Sequence, residues 1–430
     1  MSKSHQTTTS SEKDSQSPVY DEESGKAVDE FPDGGLQAWL VAVGAFFGLF
    51  CTFGWANCVG VFQAYYETHQ LKSYSPSTVA WISSLNMGML FISAPFIGNL
   101  FDRFGPRVLL LVGTVLHVFG LMMASLSSEY YQLILSQAIC SPIGAGMVLY
   151  PSFSCVATWF RSRRALALGI TASGSSLGGT VMPIMVSHLM EKIGFGWTMR
   201  ATAFVMLGLL IITNLTVKSR LTPQAKDASL LDFFRAFKDP AFCLTALASF
   251  FYSVGMFVPI TFMVTYGLHV GMSTSLASYL VSIFNAASGV GRILSGYVAD
   301  RTGNFNVSII AACLSTIFTL CLWLPGQNRP TAIAFSALFG FSSGTYTALT
   351  PALVAQITDI HDIGTRSGTI YAFVSIAGLV GSPIGGALIT NAGGSYWKLQ
   401  IFAGIMLGLG ALFFVGCKLH LAKWRLFTKV

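Results

Sequence analysis

Charge is the scarcest feature of this 430-residue chain. Only 10% of its residues are Asp, Glu, Lys or Arg, whereas a soluble domain usually carries about 25%. Long apolar runs recur along the whole length, and the mean hydropathy is +0.63. No single soluble core could bury this much apolar surface. The composition therefore excludes a large soluble enzyme and predicts an integral membrane protein whose main partner is the lipid bilayer.

Acidic residues are missing from the middle of the apolar runs. All eighteen Asp and Glu residues fall in tails, in loops or at segment ends, so no carboxylate is available to carry a proton at the membrane centre. The chain also lacks a Walker motif, which argues against an ATP-driven pump. It has no metal-ligand spacing and no His/Asp or Cys/His constellation, so we expect no cofactor, no metal and no enzymatic activity.

Paired cysteines are absent as well. The eight cysteines contain no C-x-x-C pair and all fall inside apolar segments. We therefore expect small buried hydrophobes and neither a disulfide framework nor a zinc site.

Twelve apolar segments are each long enough to cross a hydrocarbon core about 30 Å thick. We therefore predict an all-α integral membrane fold with twelve transmembrane helices in two six-helix, pseudo-symmetric bundles. The segments lie at roughly 38–62, 78–101, 107–126, 132–157, 165–188, 199–217, 241–265, 275–299, 306–325, 331–355, 367–390 and 398–418. The expected divisions are an N-tail (1–35), an N-terminal bundle (36–217), a linker (218–240), a C-terminal bundle (241–420) and a C-tail (421–430).

Lysine and arginine are unevenly shared between the two sets of loops. With both tails on one side, nineteen lie on that side and five on the other, and Arg292 alone lies inside a segment. Basic residues accumulate on the cytoplasmic side of membrane proteins. The distribution predicts that both termini are cytoplasmic, and it explains the net charge of +7 without a nucleic-acid partner.

The two halves repeat each other. One loop motif follows segments 2 and 8 at an offset of 198 residues, as Gly98-x-x-x-Asp102-Arg103 and Gly296-x-x-x-Asp300-Arg301. A spacing of four between glycines recurs in segments 5 and 11, as Gly174/Gly178 and Gly381/Gly385. Such spacing lets membrane helices pack closely. The agreement predicts a duplicated six-helix unit.

A six-plus-six repeat with this loop motif resembles the major facilitator superfamily over residues 36–420. Two further stretches are similar to signatures of the monocarboxylate-transporter family in its fungal form. One runs from Asp33 to Trp39 (DGGLQAW), and the other runs from Trp159 to Ala167 (WFRSRRALA) and continues through Gly169, Ala172, Gly174 and Ser175. The resemblance implies alternating-access transport of a small organic anion, often with a proton. Some fungal relatives carry bulkier metabolites.

The loop motif and the basic start of segment 5 predict a cytoplasmic latch between the halves. Glycines allow close backbone approach, and a charged cluster can hold one state and release in another. The alternative is a charge cluster that only sets membrane topology. The candidate latch residues are Gly98, Asp102, Arg103, Arg161, Arg163, Arg164, Gly296, Asp300 and Arg301. We expect the stretch from Trp159 to Gly179 to line the surface between the halves.

Arg292 is the one charge within a segment, and its place in segment 8 matches the arginine that contacts the substrate anion in the family. A guanidinium suits a carboxylate. The alternative is that Arg292 reaches toward Asp300 at the membrane edge. Asn57 and Ser288 stand where the family's helix 1 lysine and helix 8 aspartate are expected, and Ser162 replaces a basic residue. Proton coupling and facilitated diffusion therefore both stay open.

Polar and aromatic residues in the central thirds of the segments are the other candidates for substrate contact. The alternative for each is packing between helices. The full set of candidate substrate-binding residues is Arg292, Asn57, Tyr150, Tyr252, Phe284, Asn285, Tyr346 and Ser375. His117 in segment 3 is interpreted as a packing residue or, alternatively, a proton relay.

Three functions are compatible with these patterns to different degrees. The first is a secondary or facilitative transporter of a small organic anion or metabolite, with export of a bulkier neutral or aromatic metabolite as the alternative. The second is a non-transporting nutrient sensor on the same fold, and the third is a membrane enzyme. We expect the plasma membrane as the location, with a vacuolar or other internal membrane as the alternative.

Overall fold

The computed structural model describes residues 32–221 and 235–423. These residues form helices and connecting turns, with no strand in either range. The predicted N-tail up to residue 31, most of the predicted linker and residues 424–430 lie outside the described residues.

Twelve membrane-length helices follow the twelve predicted segments to within a few residues. Ten helices in the described part of the chain are long and apolar enough to span a membrane. One of these ten is two helices joined at Gly194, whose φ of +74° turns the chain. The helix Thr274–Thr302 completes the set of twelve. Arg292, Asn285 and several serines make it more polar than the others.

We label these helices in chain order. They are α1 (Gly35–Thr68), α2 (Pro76–Ile92 continued by Ala94–Phe104), α3 (Pro106–Ala124), α4 (Tyr130–Trp159), α5 and α6 (the two parts of Arg164–Thr216 on either side of Gly194), α7 (Pro240–His269), α8 (Thr274–Thr302), α9 (Asn304–Trp323), α10 (Arg329–Gln356), α11 (Ile363–Thr390) and α12 (Trp397–Leu421). The predicted all-helical fold is confirmed.

Helix α1 is broken near its middle into Gly35–Cys51, Phe53–Ala56 and Val59–Thr68. His117 of α3 lies at the first break: its Nε2 is 3.3 Å from the carbonyl oxygen of Cys51, and its Nδ1 is 3.0 Å from that of Ser141 in α4. A neutral imidazole has one N–H, so Nε2 can donate to the Cys51 carbonyl at the helix break while Nδ1 accepts from Oγ of Ser141, which lies 3.0 Å away. His117 thus ties three helices together, which is the packing role.

Small residues set the contacts inside each half. A methyl group on Gly178 of α5 would lie 2.6 Å from the carbonyl oxygen of Phe50 in α1, and one on Gly174 would overlap the carbonyl oxygen of Phe46. In the other half, Gly381 and Gly385 of α11 face α7, where a methyl group on Gly385 would overlap Phe262. The paired glycines therefore pack α5 on α1 and α11 on α7, within a half.

The halves meet along two other helix pairs, α5 with α8 and α2 with α11. A methyl group on Gly169 of α5 would overlap the carbonyl oxygen of Arg292 in α8, and one on Gly368 of α11 would lie 2.5 Å from that of Ala94 in α2. Residues 169 and 368 are 199 positions apart, and 94 and 292 are 198 apart. The interface between the halves therefore repeats with the period of the sequence. On α5, the glycine at this interface is Gly169, whereas Gly174 and Gly178 contact α1 of the same half.

The two stretches that resemble family signatures form one structural unit. Asp33 Oδ1 accepts hydrogen bonds from the backbone N–H groups of Arg161 (2.5 Å) and Ser162 (2.7 Å). The rings of Trp39 and Phe160 lie 5.0 Å apart. The segment before α1 therefore fixes the loop that begins α5.

Replacing Asp33 should loosen this loop. Asp33→Ala removes an acceptor of two backbone N–H groups, and capping losses of this kind cost about 1 kcal/mol. We expect a melting temperature lower by about 2 °C for a chain of this size. Thermal unfolding of the purified protein measures it, with Asp33→Asn as the control because the amide oxygen can still accept. Equal melting of Asp33→Ala and wild type would show that the contact adds no stability.

Candidate transport site

The carboxylate of Asp102, at the end of α2, binds the first turn of α11. It accepts hydrogen bonds from the backbone N–H groups of Gly364 (3.0 Å) and Thr365 (2.7 Å), and from Oγ1 of Thr365 (2.7 Å). The first N–H groups of a helix have no partner within the helix and carry a partial positive charge. A carboxylate placed there therefore joins α2 of one half to α11 of the other.

Asp300, at the end of α8, makes the equivalent contact with α5. Its Oδ1 accepts from the N–H of Ala165 and its Oδ2 from the N–H of Leu166, each at 2.9 Å. Residues 165 and 364, and 166 and 365, are both 199 positions apart. The two loop motifs thus form two related contacts, which we call the helix-start latches.

The glycines of the motif make these latches possible. A methyl group on Gly98 would overlap the carbonyl oxygen of Gly364, and one on Gly296 would overlap that of Ala165. Only a residue without a side chain lets the carboxylate reach the opposite helix start.

The arginines of the motif region lie around the latches. Arg164 donates from Nε to the carbonyl oxygen of Phe160 (2.8 Å) and from Nη1 to that of Ala355 in α10 (3.2 Å), so it crosses between the halves. The guanidinium groups of Arg103 and Arg301 lie over the rings of Phe104 and Tyr297, with 5.3 and 4.2 Å to the ring centres. Arg161 and Arg163 are exposed.

Above the latches, Arg292 of α8 points into α5. Its Nη1 donates to the carbonyl oxygen of Ala172 (2.5 Å) and to Oγ of Ser175. The side chain is 8% exposed, and its Nε has no hydrogen-bond partner among the described residues. An unused donor on a buried guanidinium is costly, so the Nε–H of Arg292 is available to donate to a ligand oxygen.

A polar seam continues from Arg292 along the same helix pair. Nδ2 of Asn285 donates to the carbonyl oxygens of Val281 (3.1 Å) and Gly179 (3.5 Å), and Oγ of Ser176 lies 3.4 Å from that of Ser288. Asn57 of α1 lies beside Gly179 of α5: a methyl group built on Gly179 would be 3.0 Å from Cγ of Asn57. The structure therefore brings Arg292, Asn285 and Asn57 to the surface between the halves.

Other candidates from the sequence lie within the C-terminal half. Tyr252 bonds Ser315 Oγ at 2.7 Å, and Tyr346 bonds the carbonyl oxygen of Ser249 at 3.1 Å. Phe284 packs near Phe339, with 6.2 Å between ring centres. Ser375 donates to the carbonyl oxygen of Ala372 in its own helix. Tyr252, Phe284 and Tyr346 belong to the hydrophobic core of the C-terminal half, and Ser375 is buried as well.

Sequence reasoning missed four aromatic side chains that meet between the halves. Phe53 of α1 and Phe91 of α2 lie opposite Phe257 of α7 and Tyr371 of α11. Tyr150 of α4, a predicted candidate, joins them through Tyr371 at 5.2 Å between ring centres. We call Phe53, Phe91, Tyr150, Phe257 and Tyr371 the aromatic cluster. No sequence signal distinguishes these rings from lipid-facing ones, because the segments are apolar on all sides.

Three comparisons with known proteins agree with this architecture. The sequence profile of the Major Facilitator Superfamily matches residues 39–326 and 245–425. The chain is 67% identical over 408 residues to an MFS-type transporter of Gibberella moniliformis, covering 95% of this chain and 96% of that protein. It is 42% identical over 406 residues to the fujikurins efflux protein of Gibberella fujikuroi, covering 94% and 87%.

Among solved structures, the human organic anion transporter MFSD10 superimposes with a TM-score of 0.72 at 15% identity, covering 89% of this chain and all of that one (100%). This likeness concerns the fold. The names of the relatives do not single out monocarboxylates, so the narrower resemblance stays a prediction. The matched profile, the relatives and the twelve-helix architecture together establish that this chain is a multi-pass membrane transporter protein belonging to the Major Facilitator Superfamily.

Proposed function

We propose that this chain exports a secondary metabolite with an apolar or aromatic body. The observation that carries the proposal is its 42% identity, over 94% of its length, to a protein named as an efflux protein for fujikurins. The bulkier-metabolite alternative from the sequence thereby becomes the main proposal. Transport of a small monocarboxylate becomes the second.

The proposed mechanism is alternating access, with the helix-start latches as the closing device at one end. Both latches join opposite halves, and the hydrogen bonds of Arg292 and Asn285 continue the closed interface toward the middle. We propose that this end is cytoplasmic, because the positively charged loops lie there. Cargo would then enter from the cytoplasm when the latches open and leave when they close. The plasma membrane is the proposed location.

Arg292 is the proposed contact for an acidic group on the cargo. Its buried Nε without a partner favours this role. In the structure its Nη1 holds α5, so cargo and α5 would compete for the same guanidinium. Binding of an anion would therefore weaken one link between the halves, which couples cargo to opening.

The proposed driving force is the cargo gradient. The described acidic residues lie at helix ends or in loops, as Asp102, Asp239 and Asp300 do. A carboxylate relay of the usual kind has no residue to use at the middle of the bundle, and His117 is held between two carbonyl groups.

Efflux from proteoliposomes tests the proposed function. Vesicles containing the purified protein are loaded with 2-naphthoate or its methyl ester, and release is followed by fluorescence. We expect the rate of release to be several-fold higher than from loaded vesicles that contain no protein. An imposed proton gradient at matched voltage should leave this rate unchanged. The Gly98→Val protein, whose halves cannot close, is the inactive control. Release no faster than from loaded, protein-free vesicles would favour the sensor function instead.

The anion part of the proposal has its own readout. Arg292→Gln should slow release of 2-naphthoate about tenfold, the loss expected for one charge-assisted hydrogen bond, and should leave the methyl ester unaffected. Equal slowing of both compounds would show that Arg292 acts only in holding the halves together.

A further inference from the structure

The aromatic cluster crosses from one half of the protein to the other. Phe91 lies 5.9 Å from Phe53, 6.2 Å from Phe257 and 6.4 Å from Tyr371, measured between ring centres. Phe53 and Phe91 belong to the N-terminal half, and Phe257 and Tyr371 to the C-terminal half. Any movement of one half against the other must therefore separate these rings.

The rings of the cluster lie 5.2 to 6.4 Å apart between ring centres, and three of them are only half-buried. Ring pairs within one half span a wider range, from 4.1 Å for Tyr252 and Tyr346 to 6.5 Å for Phe62 and Phe195. Contacts of about 6 Å lie near the upper end of the range for interacting rings, which is about 4.5 to 7 Å. Phe53, Phe257 and Tyr371 are only half-buried although they lie deep in the bundle. Ring faces are thus available between the halves.

Two polar groups at the interface between the halves, one of them in the cluster, have no hydrogen-bond partner in the described part of the chain. The hydroxyl group of Tyr371 donates and accepts no hydrogen bond within residues 32–221 and 235–423, and its ring lies 5.2 Å from that of Tyr150 and 6.4 Å from that of Phe91. The Nε of Arg292 is buried and also lacks a partner there. Polar groups in a membrane protein need partners, so a ligand with an oxygen at its edge would supply one for the Tyr371 hydroxyl.

We propose that the aromatic cluster is the cargo-binding site and that its ligand class is a planar aromatic ring system with an oxygen substituent at one edge. The rings of Phe53, Phe91 and Phe257 stack on the flat body, while the hydroxyl of Tyr371 bonds the edge oxygen. This proposal rests on the proposed transport function, but binding can be measured separately from transport. The site selects flatness, because a saturated body of the same size cannot stack between the rings.

A pair of ligands with one carbon skeleton tests flatness directly. The probes are 2-naphthoate and its saturated counterpart, decahydro-2-naphthoate, and their binding to the purified protein is measured by calorimetry. We expect wild type to bind the flat compound about tenfold more tightly, the difference expected for two or three aromatic contacts. Phe91→Leu and Phe257→Leu keep an apolar side chain without a ring and should each reduce that preference to about twofold. Tyr371→Phe should weaken the binding of 2-naphthoate and leave the ratio of the affinities for the flat and the saturated probe unchanged.

The matched control is Phe413→Leu. Phe413 stacks on Phe251 at 5.4 Å, between α12 and α7 of one half, so its ring lies outside the cluster. This variant should bind both probes as wild type does. Equal affinity of wild type for both probes, or an unchanged preference in both Phe91→Leu and Phe257→Leu, would overturn the proposal. Selective binding without release from vesicles would instead refute transport while leaving the site in place.

Discussion

Replacement of Gly296 by valine should abolish transport while leaving each half folded. A side chain at position 296 would meet backbone atoms of the opposite half, with the Ala165 carbonyl carbon and the Leu166 Cα both at 2.9 Å from its first carbon. Backbone atoms cannot move aside as a flexible side chain does. Overpacking of this kind costs about 3 kcal/mol or more, which reduces the closed population by more than about 100-fold.

The clash arises only when α8 meets α5, so the defect should appear in transport and not in folding. Release of 2-naphthoate from proteoliposomes measures the first, and thermal unfolding measures the second. Gly386→Val is the matched control, because no atom lies within 4 Å of a methyl group built on Gly386. Wild-type transport by Gly296→Val at equal protein content would show that the halves need not approach here during the cycle.

Removal of both latch carboxylates should have the next largest effect. Asp102 accepts three hydrogen bonds and Asp300 accepts two from the opposite half. Hydrogen bonds to a charged group contribute about 1.5 to 3 kcal/mol. Loss of even one such bond corresponds to about tenfold, so each Asp→Ala change should reduce the closed population at least about tenfold, and the double variant at least about 100-fold. Since both latches open in one movement of the halves, their free energies should add.

Transport and cysteine labelling together measure this shift. A cysteine at Ser176, which is 2% exposed and whose Oγ lies 3.4 Å from that of Ser288 in the other half, should react faster with a water-soluble maleimide in each variant and fastest in the double variant. Asp359→Ala is the control, because Asp359 caps the His361 backbone N–H (3.0 Å) within its own half. Labelling of the double variant at the wild-type rate would rule out a latch function for the two carboxylates.

Much of the fold could be predicted because it depends on length and composition. Twelve apolar runs give twelve helices, and the period of 198 residues places equivalent contacts in both halves. Gly194 shows where this reasoning stops: α5 and α6 continue almost without a loop. The burial of individual cysteines also depends on helix rotation. Cys51, Cys58, Cys155 and Cys417 are buried as expected, whereas Cys313 and Cys321 are exposed.

The site could be predicted only where a residue type is costly at its position. Arg292 and the two latch aspartates stand out because charge in or near a membrane requires a partner. The identity of that partner, the start of a helix in the other half, has no sequence signal because backbone N–H groups occur everywhere. Phe91 and Tyr371 could not be predicted for the opposite reason: an aromatic side chain in an apolar segment has no energetic penalty, whether it faces lipid or the other half.

The use of main-chain amides as the second member of each latch has a genetic consequence. The donors at Ala165, Leu166 and Gly364 belong to the peptide backbone, so ordinary substitutions there leave the donor in place. Proline is the exception, since it has no N–H. A mutation that removes the carboxylate of Asp102 or Asp300 accordingly cannot be compensated by swapping the charges of two interacting side chains. Suppressor mutations for these alleles should arise instead at other links between the halves, such as the Arg164 contact with Ala355.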